Sequence, residues 1–311
     1  GMVAQVGISD LQADPEGLFA DPVRFNHGAL DLRVTLDPFR VEVGQLSLGD
    51  GAERIALSGH AALMPEGIDA AFDLSVNAID SVRLLALWPL AVVPKTRQWM
   101  TENVAAGEIR NVRGSIRAAP GQEARLALGY DFAGADVRVI RTLPPVRNAA
   151  GYAMLTGRSY TLVVERGQLV APQGGSVEMA GTVLRMPDVT VKGAPAKITL
   201  RTRGPITAAL SLLDQPPFNI MAKAGRPVDI AEGIAETETR LSMPLGRKLG
   251  PGELIYSLTG RLLDVKSDRI VPGRVIAAPE LSLVATPEGV GIEGPGTIDG
   301  LPVTARWFQR F

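Results

Sequence analysis

A chain of 311 residues with 46% hydrophobic side chains is long enough for two compact domains or one extended one, and this apolar content excludes general disorder. Lysine and arginine number 32 against 33 acidic residues, so a net charge of −1 supplies no field to attract nucleic acid, and 5% aromatic residues are few for a base-stacking or sugar-binding cleft. The lack of cysteine excludes disulfides, thiolate catalysis and sulfur-rich zinc sites.

Gly1 ahead of Met2 reads as the residue left when an expression tag is removed. Period-two alternation then predicts strands in chain order. Leu30, Leu32, Val34 and Leu36 alternate with Asp31, Arg33, Thr35 and Asp37; Phe72, Leu74 and Val76 alternate with Asp73, Ser75 and Asn77. A short helix is expected from Ile79 to Leu87 behind Asp80 or Ser81 as cap. The longest apolar run, Leu84 to Pro94, is 11 residues broken by Pro89, well short of the ~20 that span a bilayer. A second helix is predicted over Pro94–Asn103, started by Pro94 and stopped by Gly107 at positive φ. Its apolar sector of Trp99, Met100 and Val104 should lie flat on a larger apolar surface, with Lys95, Gln98 and Glu102 toward water.

Strand alternation resumes at Val112, Gly114 and Ile116. It recurs at Leu126–Phe132, Val177–Met179, Val189–Val191, Ile198–Leu200, Leu241–Met243, Leu281–Leu283 and Val303–Trp307. A third helix is expected over Pro205–Asp214, with Ile206, Leu210 and Leu213 on one stripe. Turn clusters at Gly49–Gly51, Pro120–Gly121, Gly174–Gly175, Pro251–Gly252 and Pro272–Gly273 separate the strands. One-faced alternation implies antiparallel meanders. The expected fold is mainly β: an elongated, curved antiparallel sheet forming a groove, or sandwich-like layers, with about three short helices. Residues 1–311 read as one β-rich region, with a seam at Ala118–Ala124 between weakly repeated units, 20–117 and 125–311.

Signatures of chemistry are scarce. His27 and His60 sit in strand-like contexts with no paired acid and no second ligand at metal spacing. Gly289–Gly294 matches a dinucleotide fingerprint by letter, but Pro295–Gly296 follows where a helix must open, so a strand edge is expected. Glu236 and Glu238 share one strand face at i, i+2, as solvated carboxylates do, and Arg247–Lys248 reads as a solvated basic turn. No catalytic residue, metal or cofactor is called for.

Leu87-Trp88-Pro89, Pro94-Lys95-x-Arg97-x-Trp99, Glu102-Asn103 and Gly107-Glu108-Ile109 resemble a signature of the YhdP-type branch of AsmA-like proteins. Ile298-Asp299-Gly300-x-Pro302 with Trp307-x-x-x-Phe311 is similar to that family's terminal strand pair, and Arg203–Asp214 to its inserted short helix. The resemblance implies structural roles for Trp88, Pro89, Pro94, Arg97, Trp99, Gly107, Gly300, Pro302 and Trp307. It further implies a section of a larger periplasmic protein, anchored in the inner membrane of Gram-negative bacteria, that helps move phospholipid toward the outer membrane along an apolar β-groove. On that basis Leu30, Leu32, Val34, Leu36, Phe72, Leu74 and Val76 are the candidate lipid-facing positions, phospholipid and the rest of the parent chain the expected partners. The same alternation would also suit a β-module with an ordinary side-chain core, acting in envelope assembly without lipid.

Overall fold

The computed structural model describes residues 1–191, 193–244 and 254–310; Arg247–Lys248, Pro251–Gly252 and Phe311 lie outside the described residues. The fold is mainly β, with antiparallel pairing throughout the strand ladders described below. The chain divides into two units, Gly1–Ala135 with Tyr152–Tyr160, and Asp136–Gly151 with Thr161–Phe311.

The first unit opens as a meander of β1 (Met2–Ala13), β2 (Val23–Leu36), β3 (Phe39–Asp50), β4 (Glu53–Met64) and β5 (Gly67–Asp80). Two helices follow, α1 (Ser81–Ala86) and α2 (Pro94–Asn103), and then β6 (Val104–Ala118) pairs with β5. Strands β7 (Arg125–Val137), β8 (Val146–Thr156) and β9 (Ser159–Val170) come next. Ala118–Ala124 is the connection from β6 to β7 and falls inside the first unit. Helix α1 starts where expected: Asp80 Oδ1 accepts from the N–H groups of Val82 and Arg83, both at 2.9 Å, satisfying two first-turn donors. Its Leu84, with Leu87 just beyond, packs on Val76, Ile79 and Val112, the core of this unit.

Helix α2 forms over its predicted span but buries none of its residues, and Trp99 stays 44% exposed. The predicted apolar sector loses Val104, which begins β6 in extended conformation. Gly107 is therefore not the helix stop. It lies in β6 at φ 147, where an added Cβ would come within 3.1 Å of Ala135 Cα, so it permits a close strand approach.

The second unit contains β10 (Ser176–Glu178), β11 (Thr182–Met186), β12 (Pro195–Pro205), helices α3 (Ile206–Leu213) and α4 (Ile220–Lys223), then β13 (Glu232–Pro244), β14 (Ile255–Ser267), β15 (Ile276–Thr286), β16 (Gly289–Ile298) and β17 (Leu301–Arg310). The four helices described thus exceed the three expected by the single turn α4. Val189–Val191 is not a strand: Asp188 Oδ1 accepts from the Thr190 N–H and hydroxyl, at 2.8 and 2.6 Å, and bends the chain instead. Helix α3 keeps two residues of the predicted stripe: Ile206 joins Ala235, Val265, Ala278 and Leu281, and Leu210 packs against that cluster, whereas Leu213 stays 40% exposed and Ala208 and Leu212 pack instead on Ala171 and Val177. The β16–β17 turn is a hairpin with Asp299 and Gly300 both at positive φ, as a tight primed turn requires. Asp299 is fixed there by Arg274 at 2.7 Å and the Val275 N–H at 2.8 Å.

Charged residues gather on one face of each meander. In the second unit Glu236 pairs with Arg203 and Arg261, and Arg261 reaches Glu280, so cross-strand neighbours alternate in sign along β12–β15. The Arg201 hydrogen bond, with help from Arg240, holds Glu238 below the usual carboxylate range, and Arg40 does the same for Glu42. The backbone N–H of Asn148, followed by Arg147, lowers Asp136; Arg274 and the Val275 N–H lower Asp299.

Two expectations follow from these caps and pairs. Asp80→Ala should lower unfolding stability by about 1 kcal/mol in urea denaturation, through loss of the α1 cap. Because the folded state depresses these carboxylates, their contribution is present above the unfolded pKa and is lost on acidification. The urea midpoint should hold from pH 7 to about 5 and decline as pH falls below about 4.

Candidate functional site

Residues directly opposite each other in an antiparallel ladder point to the same side, so register assigns every strand position in the first unit to a face. One row runs Val6, Leu30, Leu46, Leu57, Leu74, Gly114 across β1 to β6. The next rows are Ala4, Leu32, Val43, Gly59, Phe72, Ile116 and Met2, Val34, Val41, Ala61, Ala70, Ala118. On the other side of the first row lie Ile8, Gly28, Leu48, Ile55, Val76 and Val112. Leu36 opposite Phe39, and Leu63 opposite Ile68, extend the set at the turn end. Every member is apolar or glycine. Positions between them carry Asp31, Arg33, Glu42, Ser58, His60, Asp73, Arg113 and Arg117.

All seven candidate positions thus share one face, as alternation predicts, but they do not share one environment. Val76 is buried beneath α1 in the core with Ile79 and Val112. Leu30, Leu32, Val34 and Phe72 are half-buried, Leu74 is 37% exposed and Leu36 is 73% exposed. Exposed apolar neighbours that were not among the candidate lipid-facing positions lie on the same face: Met2, Val6, Phe39, Leu63, Ile68 and Ile116. The face is closed at the α1 end and open toward the β2–β3 and β4–β5 turns.

Two glycines shape the middle of this face. Gly59 has φ 148, and a Cβ there would fall 2.0 Å from the Ala71 carbonyl oxygen, so only glycine lets β4 and β5 approach at that level. Gly114 leaves a gap between Leu74 and Leu128: a Cβ on it would meet Leu74 Cβ at 3.6 Å and Leu128 Cδ1 at 3.7 Å. An open cavity of about 830 Å³ has Leu57, Leu74, Gly114, Leu128 and Leu155 in its lining, with Ser58, Asp73 and Arg113 among their polar neighbours.

Titratable groups do not converge on the apolar rows. His60 Nε2 lies 3.1 Å from Asp69 Oδ2, an acid pairing that β4–β5 hairpin geometry creates and that the sequence reading missed. It sits on the polar face, where Asp69 is also reached by Arg40 and Arg40 pairs with Glu42. The Tyr130 and Tyr160 hydroxyls hydrogen bond at 2.9 Å; burial pushes both phenols up, so both stay neutral. No cluster of three or more metal-ligating side chains occurs among the described residues.

The positions implied by the resemblance take structural places. The Trp88 indole donates to the Val92 carbonyl at 2.6 Å, and Pro89 O accepts from the Val92 N–H at 3.0 Å, closing the α1–α2 loop. Pro94 is the first residue of α2, and the Arg97 guanidinium donates to the Leu85 carbonyl at 3.2 Å, tying the two helices. Gly300 completes the β16–β17 turn, Pro302 pairs opposite Thr297, and Trp307 pairs opposite Ile292 with 48% of its surface exposed. The Gly289–Gly294 fingerprint lies in strand β16, which pairs on both sides. No helix among the described residues is long and apolar enough to cross a membrane. Comparisons with known protein families, with curated proteins and with solved structures found no match to this chain.

Proposed function

We propose that the chain is a non-enzymatic lipid-binding section of a periplasmic, inner-membrane-anchored protein, and that acyl chains of phospholipid lie on the open apolar face of its first unit. The observation that carries this is the row pattern: an uninterrupted apolar face across β1 to β6, covered by α1 at one end and bare elsewhere, with Val6 at 46%, Ile68 at 56% and Leu63 at 57% exposure. Isolated exposed leucines are ordinary on any surface, but a register-aligned sheet face left uncovered is not.

The dimensions suit the ligand. Same-face rows repeat about every 6.6 Å along a strand, so five rows cover roughly 26 Å, more than the ~15 Å of one bilayer leaflet. Removing each methylene from water is worth about 0.8 kcal/mol, so a 16-carbon chain gains roughly 13 kcal/mol on a dry face, near what a bilayer gives it. Such a face lowers the barrier between two membranes without trapping the lipid. Aliphatic side chains make no directional demand on a disordered tail, and the motif resemblance to AsmA-like proteins supports the same assignment.

The test is lipid capture by the purified protein. Native mass spectrometry after expression in a Gram-negative host should detect bound phospholipid, and the protein should take up a fluorescent phospholipid. Leu74→Asp and Leu32→Asp should each weaken uptake at least tenfold with the circular dichroism spectrum unchanged. A folded, lipid-free protein that takes up no added phospholipid would overturn the proposal in favour of a structural module of the envelope.

A further inference from the structure

Two phenols stand at the closed end of the apolar face of the first unit. Tyr130 on β7 and Tyr160 on β9 are half-buried, and their hydroxyls lie 2.9 Å apart. Tyr130 packs against the core of Val76, Ile79 and Val112. It follows Leu128 by two residues, on the same side of its strand, and Leu128 flanks the gap at Gly114 in the open cavity. Gly157 at φ 61 fits a two-residue primed turn between β8 and β9, which sets Leu155, also in the cavity lining, opposite Tyr160. The tyrosine pair therefore borders the cavity on the side of the core.

Counting protons leaves one donor over. Burial raises both phenols with no neighbouring carboxylate or cation contributing, so each keeps its O–H. One hydroxyl donates to the other, and the accepting hydroxyl's own proton has no second partner among the described residues. A polar group half-satisfied in apolar surroundings is costly, and the same surroundings make a new hydrogen bond there stronger than it is in water. A charged acceptor brought to this spot would lose its hydration with no cation to replace it. An uncharged carbonyl oxygen accepts the proton without that loss.

We propose that the Tyr130–Tyr160 pair is the recognition point for an acyl ester: the spare phenolic proton donates to the ester carbonyl of a glycerophospholipid whose tail lies over Leu155 and Leu128. This rests on lipid binding by the apolar face and adds which part of the lipid is gripped, and where. The hydrogen bond from the Gly157 N–H to the Leu126 carbonyl places β8 beside β7, and the Gly114–Leu128 approach places β7 beside β6. Three strand spacings of about 4.8 Å carry roughly 14 Å from β9 to β6, close to the ~15 Å that a tail occupies in one bilayer leaflet. A tail that starts at the tyrosines ends in the gap at Gly114, beside Leu74.

A pair of lipids that differ only in the carbonyl tests the assignment: a diacyl phosphatidylcholine and its dialkyl-ether analogue, with the same tails and headgroup. Measured by displacement of a fluorescent phospholipid, wild-type protein should prefer the ester about fivefold, the size of one ordinary hydrogen bond. Tyr130→Phe/Tyr160→Phe, with an unchanged circular dichroism spectrum, should bind both lipids alike, at the level of the ether. Leu74→Asp should weaken both and keep their ratio, which separates the tyrosines from the face. With carbon-13 in the ester carbonyl, its infrared stretch should lie at lower wavenumber in the wild-type complex than in that of the double phenylalanine variant. Equal affinity of the wild-type protein for ester and ether, or a preference that survives both phenylalanines, would overturn the assignment and leave lipid binding by the face intact. Wild-type protein that binds neither lipid would overturn both.

Discussion

Everything in the first unit depends on strand register. With side chains alternating at period two, a slip of one residue between any two strands would turn that strand's apolar set out to the charged side. The charged side resists such a slip, because Arg33 then loses Glu42 and Arg117 loses Asp73. The one place where the apolar spacing departs from two along the open face, Val43 to Leu46 in β3, coincides with a bulge: Gly44 and Gln45 are accommodated opposite single residues on the flanking strands. The extra residue keeps Leu46 beside Leu57 and Val43 beside Gly59. A sheet could not hold its dry side continuous over five rows without that correction.

A different correction closes the helical end. Asp10, Asn111 and Asp264 stand within strands at φ 50, 52 and 53, a region that Asp and Asn tolerate better than other side chains. At each, the inward set advances by three residues instead of two. Ile79 opposite Ile109 follows Val76 opposite Val112, and Leu11 opposite Phe25 follows Ile8 opposite Gly28. In the second unit Val265 opposite Ala278 follows Leu262 opposite Leu281. The shifted residues are buried, Phe25 and Ile79 in one unit and Val265 and Ala278 in the other. The Arg83 guanidinium lies 4.9 Å above the Phe25 ring and pairs with Glu53, so one side chain ties α1 to β2 and β4.

What the sequence discloses follows from which signals are local. Alternation located most of the strands, and Asp80 and Pro94 located two helix starts, because each acts through neighbours along the chain; the Asp299–Gly300 turn came only from the family resemblance. The face shared by Leu30 and Phe72 was legible for the same reason. Burial was not: Val76 and Leu74 have the same alternation, and only the packing of Leu84 and Leu87 makes one core and the other surface. Nor was the His60–Asp69 contact, which exists only because β4 and β5 pair around a two-residue turn. Asn and Asp embedded in apolar strands were the available sign of the three-residue steps, and Val189–Val191 failed as a strand because Asp188 offers its backbone a bend.

This division of labour between the two ends explains how a sheet with so much apolar surface uncovered can still be stable. Burial of Val76, Ile79, Val112, Leu84 and Leu87 removes several large side chains from water at about 1.5–3 kcal/mol each when burial is complete, on the order of the total stability of a domain. The strands, 12 to 15 residues long from β1 to β6, then extend beyond that core as a paired lattice whose backbone bonds are satisfied by neighbouring strands. Their outer apolar rows, half-buried or exposed, add less to folding than the core does, and for that reason they are free to be covered by something that is not part of the fold. A ligand that covers them gains the transfer free energy the protein forgoes. If the rows were instead packed under a second layer, the same residues would stabilise the chain and nothing mobile could occupy them.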